Sequence, residues 1–324
     1  MTHPRTLIIG SPRSGTTWVG KLFDANPWVV YLHEPDSDAW TTAIPGTVNR
    51  EDYDRHLQTA AEYLDRIFAV STVKTNGGRV RFAKAYRSHL GELAFRSLFL
   101  GLRAMEQFAP LQRIARNTQI PQLIAADRLD KVYQVAKSVI AGGRAGLYAR
   151  ARPDMRFILI LRHPAGVVGS EIRGKKIGKM IGEAPIKALA TMPGAVERGL
   201  TQQFFEQADY LERMSWWWVL FNEKMMADTQ DCENCLLVNY DEMCANPKQA
   251  VHSMYRHAGI ELADEVVGFL DKSTTASTGD SEYFNLFRDP QEAANRWRHE
   301  LSAEQIERIR GITQATAPGS MFRW

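Results

Sequence analysis

Short, continuous apolar runs separated by longer amphipathic stretches make up most of this sequence. Five runs predict strands buried on both faces, because their apolar residues are consecutive rather than alternating: Leu7–Ile9, Val29–Leu32, Val132–Val139, Phe157–Leu161 and Leu236–Val238. Apolar residues that recur every three or four positions between the runs indicate helices, and one such set is Leu90, Leu93, Ala94, Leu98 and Leu102. This alternation predicts a doubly wound α/β fold, a central parallel sheet between helices.

Two stretches depart from that alternation. Residues 40–130 contain helical patterns but no convincing strand, and we interpret them as a helical insertion that covers the functional site. Residues 275–298 are rich in Ser, Asp, Asn and Arg, and they predict a long loop of the kind that often serves as a lid. We expect residues 1–324 to form a single domain around these two additions.

Composition and charge narrow the class of protein. Hydrophobic residues make up 44% of the 324 positions and charged residues 24%, as in an ordinary globular enzyme. The net charge of +3 is too small to indicate nucleic-acid binding, but it is compatible with an anion held in a basic pocket. No apolar run approaches the roughly 18 residues of a membrane span, and the polar start Met1–Arg5 leads straight into a strand. We expect no nucleic-acid partner, no membrane span and a cytoplasmic location.

The cysteines predict no metal centre. Cys232 and Cys235 have the spacing of a zinc or redox pair, and Cys244 is the third cysteine of the chain. A closed zinc site needs four ligands, and the sequence has no second pair to complete one. We interpret the pair as two thiols at the start of the strand Leu236–Val238.

The turn Gly10–Thr17 is the strongest functional signal in the sequence. It lies between a predicted strand and an amphipathic helix, an arrangement that points backbone N–H groups and the positive helix end at an anion. Its two glycines have the spacing of a nucleotide P-loop, but Thr16 stands where that loop has its lysine. Because triphosphate hydrolysis needs the lysine and magnesium, the loop cation Arg13 favours a phosphosulfate ligand.

These residues resemble a known family. Pro12–Trp18 is similar to the 5′-phosphosulfate loop of the sulfotransferase superfamily, which has Lys or Arg at the position of Arg13. The longer run Ser11–Pro35 resembles carbohydrate sulfotransferases of the N-acetylglucosamine-6-O type and tyrosylprotein sulfotransferases. The resemblance implies a P-loop-type three-layer fold and 3′-phosphoadenosine-5′-phosphosulfate (PAPS) as sulfuryl donor, without a metal. The implied acceptor is the hydroxyl of a carbohydrate or small molecule, in a pocket shaped by residues 40–130.

Other parts of the family pattern imply the residues that bind the donor. Arg162 follows the strand Phe157–Leu161, and Ser170 comes eight residues later, as in the family's 3′-phosphate element. An arginine at a strand end and a serine in the next helix suit a phosphate on chemical grounds as well. The further residues implied for the 5′-phosphate, the adenine and the closing basic loop are Ser14, Gly15, Thr16, Thr17, Trp18, Tyr240, and either Arg288 or Arg296.

The catalytic candidates are two cations and a base. We expect Arg13 to stabilise the leaving 5′-phosphate, and Lys137 resembles the family's lysine that faces the transferring sulfate. Glu34 matches the glutamate base of the tyrosylprotein members, provided that burial raises its pKa, and His33 competes with it. Because side chains alternate along a strand, we expect only one of the two to face the site, and we favour Glu34.

Two other functions stay open at this point. A P-loop nucleotide kinase or ATPase is one, although the absent P-loop lysine and the separate pair Arg162 and Ser170 speak against it. A non-enzymatic protein that binds adenosine 3′,5′-bisphosphate (PAP) is the other. The sequence leaves the acceptor open among sugars, lipids, phenols and peptides, and it leaves the oligomeric state open as well.

Overall fold

The computed structural model describes residues 3–77, 80–178, 186–275 and 289–324. Its centre is one sheet in which every neighbouring pair of strands is parallel, in the order β2-β3-β1-β4-β5. The strands are β1 (Arg5–Gly10), β2 (Val29–His33), β3 (Tyr133–Ser138), β4 (Arg156–Leu161) and β5 (Cys235–Asn239). All five predicted strands are therefore confirmed, and so is the predicted fold class.

Helices lie on both faces of the sheet and beyond its edges. Their bounds are α1 (Thr16–Asp24), α2 (Pro35–Asp38), α3 (Tyr53–Ala69), α4 (His89–Met105), α5 (Ala109–Asn117), α6 (Ala145–Ala151), α7 (Pro164–Lys176), α8 (Ile186–Ala190), α9 (Pro193–Glu197), α10 (Gln202–Gln207), α11 (Tyr210–Thr229), α12 (Tyr240–Ala245), α13 (Pro247–Ala258), α14 (Asp264–Thr275), α15 (Pro290–Asn295), α16 (Trp297–Glu300) and α17 (Ala303–Thr313). Among these, no helix is both long enough and apolar enough to cross a membrane.

Consecutive apolar residues in the strands supply two cores at once. Leu7 and Ile9 of β1 point into the core that α3, α6 and α11 cover, whereas Ile8 points into the core under α1, α13 and α14. All three side chains are fully buried. Because alternate residues of a strand face opposite sides, a continuous apolar run is what a sheet between two helical layers requires. The three-layer arrangement fixes the carboxyl ends of the strands at one edge, where the candidate site lies.

The segment 40–130 contributes α3, α4, α5 and two short 3₁₀ turns within its described residues. The described part of this segment also contains one isolated antiparallel β-bridge, which pairs Arg87 with Ile124. The helical pattern of α4 indicated an inward face, yet four of its five repeating residues are exposed and only Leu102 is buried. Phe95 and Phe99 occupy the inner face instead.

The end of the predicted long loop 275–298 is helical. Residues 290–295 lie in α15, residues 297 and 298 lie in α16, and residues 276–288 are outside the described chain. The side chain of Asp289 caps α15 by accepting hydrogen bonds from the backbone N–H groups of Gln291 and Glu292, and Pro290 takes the first helical position. Both features favour a helix start, so this part of the loop prediction was wrong.

Candidate active site

A cavity of about 1320 Å³ runs along the carboxyl ends of the strands. This is the edge at which open parallel sheets bind their ligands. Its first end is lined by the turn after β1, by α7 and by α15 and α16, and its second end by the turn after α3, by α4 and by α5. We call these the donor end and the acceptor end, after the ligands that the sequence predicts for them.

The turn between β1 and α1 has the geometry of an anion cradle. Gly15 has a φ of 94°, and a Cβ there would overlap the ring of Tyr240, so both its backbone and its surroundings require glycine. Helix α1 starts at Thr16, and Thr16 and Thr17 line the cavity beside its positive end. Ser14 is fully buried, and its Oγ has no hydrogen-bond partner among the described residues.

Two elements that the sequence predicts to bind phosphate, far apart along the chain, meet at the donor end. Arg13 Nε donates a hydrogen bond to Ser170 Oγ over 2.9 Å, and Arg162 Nη1 donates to the carbonyl oxygen of Arg13, also over 2.9 Å. Arg162 Nη2 donates to the Ala293 carbonyl of α15 at 2.7 Å. Arg162 Nε is buried without a partner in the described chain. Three groups suited to phosphate therefore line one end of the cavity.

Trp18 and Tyr240 lie together beneath the turn. Their rings meet edge to face with centroids 6.2 Å apart, and both side chains are largely buried. Trp18 Nε1 donates to Ser273 Oγ over 3.2 Å, and the Arg162 guanidinium lies 5.1 Å from the centroid of the Tyr240 ring. Both aromatic residues line the cavity. Their predicted contact with adenine stays a prediction.

The structure places Arg296, one of the two predicted closing arginines, at the junction of α15 and α16. Arg296 lines the cavity, and its Nε lies 4.0 Å from Glu300 Oε1. Arg288, the other candidate, lies outside the described residues.

Lys137, Glu34 and His33 form a charged group in the middle of the cavity. Lys137 Nζ donates to Glu34 Oε1 over 2.6 Å, and His33 Nε2 lies 3.8 Å from the same oxygen. The backbone N–H of Glu34 donates to the Lys137 carbonyl, and this bond ties the end of β2 to β3. Lys137 is 2% exposed, which excludes a freely solvated strand-end lysine.

The pKa of Glu34 contradicts the expectation that burial raises it. Burial is the largest single influence and opposes the charged form, but the charge of Lys137, the effects of His33 and Lys74 and the hydrogen bond from Lys137 together outweigh it. The pKa of Glu34 therefore lies below its usual value. Burial and Lys137 together lower the pKa of His33 to about 4. Burial also lowers the pKa of Lys137, although Glu34 opposes that change. At neutral pH the site therefore holds a carboxylate and a neutral imidazole.

Glu34 and His33 both line the cavity, so the expectation that only one faces the site was wrong. Strand β2 ends at His33, and Glu34 has a φ of 48°, which turns its side chain back towards the site. Arg13 has a φ of 66° and Leu123 one of 52°, and no other described non-glycine residue has a positive φ. Strained backbone of this kind persists where the surrounding structure enforces it, often at functional sites.

Several cavity residues were missed in the sequence. Arg173 lines the donor end and lies one helical turn after Ser170, a spacing that places both on one face of α7. Its Nη1 forms an ion pair with Glu300 of α16. Trp297 also lines the cavity, and its Nε1 is buried without a partner in the described chain. The i, i+3 spacing from Ser170 was a usable signal for Arg173, and Trp297 belongs to the predicted closing element next to Arg296 but was not singled out as a site residue.

The acceptor end is polar and charged. Arg103 of α4 and Arg116 of α5 both approach Glu106, at 3.6 and 3.4 Å respectively. Lys74 forms an ion pair with Asp38 at 3.0 Å. The neighbouring side chains on this wall that can donate and accept hydrogen bonds are Thr72, Asn117 and Gln119.

The described residues contain no group of three or more His, Cys, Asp or Glu placed to hold a metal ion. Cys232 and Cys235 are free and partly buried, and burial raises the pKa of both thiols. A thiol that stays protonated is a poor metal ligand. Cys244 is buried in the core under α12.

Comparison with known proteins identifies the protein family of this chain. Residues 4–177 match the model of a sulfotransferase family, and residues 146–320 match a second model, described as a sulfotransferase domain. Each match covers more than half of the chain, and the chain belongs to the sulfotransferase family.

Individual relatives are distant. Carbohydrate sulfotransferase 2 of Mus musculus is 25% identical over 343 residues, which cover 92% of this chain and 61% of the mouse protein. Carbohydrate sulfotransferase 1 of Danio rerio is 21% identical over 337 residues, covering 95% of this chain and 75% of the relative. This chain therefore spans about 61% of the length of the mouse relative. Among solved structures, mouse sulfotransferase SULT7A1 complexed with PAP has a TM-score of 0.44 at 11% identity, covering 98% of this chain and 85% of that one.

Proposed function

We propose that this protein transfers a sulfuryl group from PAPS to a hydroxyl of a carbohydrate or small-molecule acceptor. The hydrogen bond between Arg13 and Ser170 carries the proposal, because it joins the turn after β1 to α7 in one cavity with Lys137 and Glu34. Membership of the sulfotransferase family supports sulfuryl transfer. Similarity to carbohydrate sulfotransferases supports a carbohydrate acceptor.

The donor end suits a ligand with two separate anionic groups. Arg13 and the start of α1 form one anion site, and Arg162, Ser170 and Arg173 form a second one beside it. Buried Ser14 Oγ and Arg162 Nε have no partner within the described chain, and an incoming phosphate oxygen would satisfy such groups. When bound, PAPS supplies an activated sulfuryl group on a 5′-phosphate that serves as the leaving group.

Positive charge at the reacting end stabilises an in-line displacement. The bond from sulfur to the 5′-phosphate oxygen breaks while a bond from the acceptor oxygen to sulfur forms, and negative charge builds on the departing phosphate. Arg13 lies on the leaving side of the cavity, and buried Lys137 lies beside it in the middle. Cations fixed in a partly desolvated site stabilise such charge better than water does.

Glu34 accepts the proton of the acceptor hydroxyl in this proposal. Its pKa lies below the usual value, so the group is ionised at neutral pH and able to accept a proton. Lys137 holds the carboxylate through the hydrogen bond of 2.6 Å, which fixes its orientation. His33 is neutral at the same pH, since its pKa is about 4, and it is the competing base.

Polar groups at the acceptor end favour an acceptor with several hydroxyl groups. Arg103, Arg116 and Asn117 offer donors and Glu106 offers an acceptor on the wall opposite the donor end. Sugars present alternating donors and acceptors that such a wall can bind. A cytoplasmic location belongs to this proposal as well, and fractionation of the producing cells checks it.

Calorimetry with PAP tests the donor site, and label transfer tests the activity. We expect PAP to bind tightly in the presence of EDTA, with little affinity for magnesium-ATP, and [³⁵S]PAPS to label a hydroxyl acceptor from a carbohydrate library. Magnesium-dependent binding of ATP would overturn the proposal in favour of a kinase or ATPase. PAP binding without transfer to any acceptor would instead favour a binding protein.

A further inference from the structure

Helices α4 and α5 form a hairpin that is apolar on two sides. Its inner side packs Phe95, Phe99 and Leu102 of α4 against Ala115 of α5 and Val73. These residues form a core of their own, separate from the two cores of the sheet. Since the inner side already supplies the packing that holds the hairpin, the apolar residues on its outer side are not needed for that purpose.

Large apolar side chains cover the outer side. In α4, Leu90 is 76% exposed, Leu93 58% and Leu100 62%, and their spacing places them on one helix face. Phe108, in the connection, is 62% exposed, and Ile114 of α5 is 57% exposed. Single exposed apolar residues are ordinary, whereas a concentration of this size marks an interaction surface. We call these five residues the apolar hairpin face.

Arginines flank the apolar hairpin face. Residues 89–117 contain four arginines (Arg96, Arg103, Arg113 and Arg116) and two glutamates. Both glutamates already form ion pairs, Glu92 with Arg96 and with Arg87, and Glu106 with two arginines. The hairpin therefore carries two more arginines than glutamates, a net positive charge on the same helices that bear the apolar hairpin face.

That combination fits an anionic lipid surface better than a second copy of the chain. A helix that lies in a membrane interface inserts Leu and Phe between the head groups and places Arg beside anionic lipids. A symmetric dimer through the same face would bring the arginines of one copy towards those of the other. Such contacts between like charges oppose association.

We propose that the α4–α5 hairpin docks this protein on an anionic lipid bilayer surface, with the apolar hairpin face inserted among the head groups. The protein then binds the membrane peripherally and does not span it. Arg103 and Arg116 also line the cavity, so in a docked molecule the acceptor end of the cavity lies beside the lipid head groups. The docking itself does not depend on the proposed sulfuryl transfer.

Vesicle cosedimentation tests the proposal with the full chain. We expect binding to vesicles of phosphatidylcholine with phosphatidylserine, and roughly tenfold weaker binding to phosphatidylcholine alone or at high salt. The combined variant Leu90→Gln, Leu93→Gln and Leu100→Gln is expected to lower vesicle binding by tenfold or more, because three inserted apolar side chains are replaced by polar ones. Arg113→Glu is expected to weaken binding only to the anionic vesicles.

Matched controls lie on two helices outside the α4–α5 hairpin. Val196→Gln replaces a side chain of α9 that is 65% exposed, and Arg256→Glu reverses an exposed charge on α13, and both are expected to bind as the unchanged protein does. An unchanged melting temperature shows that each variant is folded. If the unchanged protein stays in the supernatant with both kinds of vesicle, the proposal is overturned. Sedimentation velocity that shows a dimer abolished by the leucine variant, without vesicle binding, would assign the face to a second copy.

Discussion

The donor end and the acceptor end of the cavity are built in different ways. Arg13, Lys137 and Arg162 stand at or just beyond the carboxyl ends of three adjacent strands, which hydrogen bonds in the sheet hold in register. Arg103 and Arg116 stand on helices that pack on a small core of their own. The donor end is thus fixed by the sheet, and the acceptor end by an addition to it.

This difference separates a part of the site that the sheet constrains from a part that can change more freely. A strand end places a side chain within narrow limits, which suits residues proposed to bind the sulfuryl donor. Helices outside the sheet can shift, lengthen or exchange side chains without disturbing β1, β3 or β4, and binding sites on such additions vary more readily. Variants at the donor end should therefore change donor binding, and variants at the acceptor end should leave it intact.

Removing the loop cation should have the largest effect. Arg13→Ala deletes the hydrogen bond to Ser170 and the positive charge on the leaving side, and we expect kcat/KM to fall by ~10³-fold or more. PAP affinity should fall as well, measured by calorimetry. Arg13→Lys keeps the charge and should retain part of both quantities, while Arg256→Ala is the control on an exposed surface. Turnover near normal in Arg13→Ala would contradict the assignment.

Replacing the proposed base should lower turnover without changing the affinity for PAP. Glu34→Gln keeps a hydrogen-bond acceptor for Lys137 but removes the proton acceptor, and we expect kcat to fall by ~100-fold or more with PAP affinity nearly unchanged. Steady-state kinetics with calorimetry separates the two effects. His33→Asn is the matched comparison, and it should retain most of the turnover. A loss confined to His33→Asn would make His33 the base.

A variant at the acceptor end should move only the acceptor's KM. Arg103→Ala removes a cavity-lining donor, and we expect the acceptor KM to rise by ~10-fold, with kcat and PAP affinity close to normal. Arg96→Ala is the control, since Arg96 lies on the same helix and does not line the cavity. A change in PAP affinity in Arg103→Ala would show that the two ends are not independent.

The smallest effect concerns stability as the pH falls. The pKa of His33 is about 4 in the folded chain, below its ordinary 6.5, so the unfolded chain takes up the proton first. The stability that neutral His33 contributes is complete above about pH 6.5 and is lost as the pH falls towards about 4. His33→Asn should reduce this loss by on the order of 1 kcal/mol in urea unfolding. His252→Asn, at an exposed histidine, should leave it unchanged.

The sequence predicted the donor end because its signals are local. Consecutive apolar residues specify strands of a two-faced sheet, and a turn such as Gly10–Thr17 carries its function in adjacent residues. Arg162 and Ser170 are also a local signal, because both residues belong to the connection from β4 to α7 and the first turns of that helix. Their contact with Arg13 is long-range and was not predicted, although the carboxyl ends of parallel strands lie at one edge of a sheet.

Other features were out of reach because they depend on distant contacts. Helix α4 is apolar on both sides, so its periodicity could not show that Phe95 faces inward and Leu90 outward. We expected the side chains of His33 and Glu34 to point to opposite faces as they would along a strand, but β2 ends at His33, so the rule does not reach Glu34. The low pKa of Glu34 depends on Lys137, which is 103 residues away in the chain. The start of α15 is a different case, since Asp289 and Pro290 were a usable local signal.

The positive φ angle of Arg13 sets this residue against the stability of the fold. Glycine or asparagine relaxes a left-handed backbone, and we expect either one at position 13 to leave the free energy of unfolding equal or higher, by up to about 1 kcal/mol. Glu34 also has a positive φ, but removing its carboxylate leaves buried Lys137 without its ion-pair partner, and that loss outweighs the relaxed backbone. Selection for thermal stability alone would therefore favour substitutions that remove the guanidinium while it retains the carboxylate. A stabilised form of this protein must be sought with Arg13 held fixed, and with improvements drawn from surfaces away from the cavity.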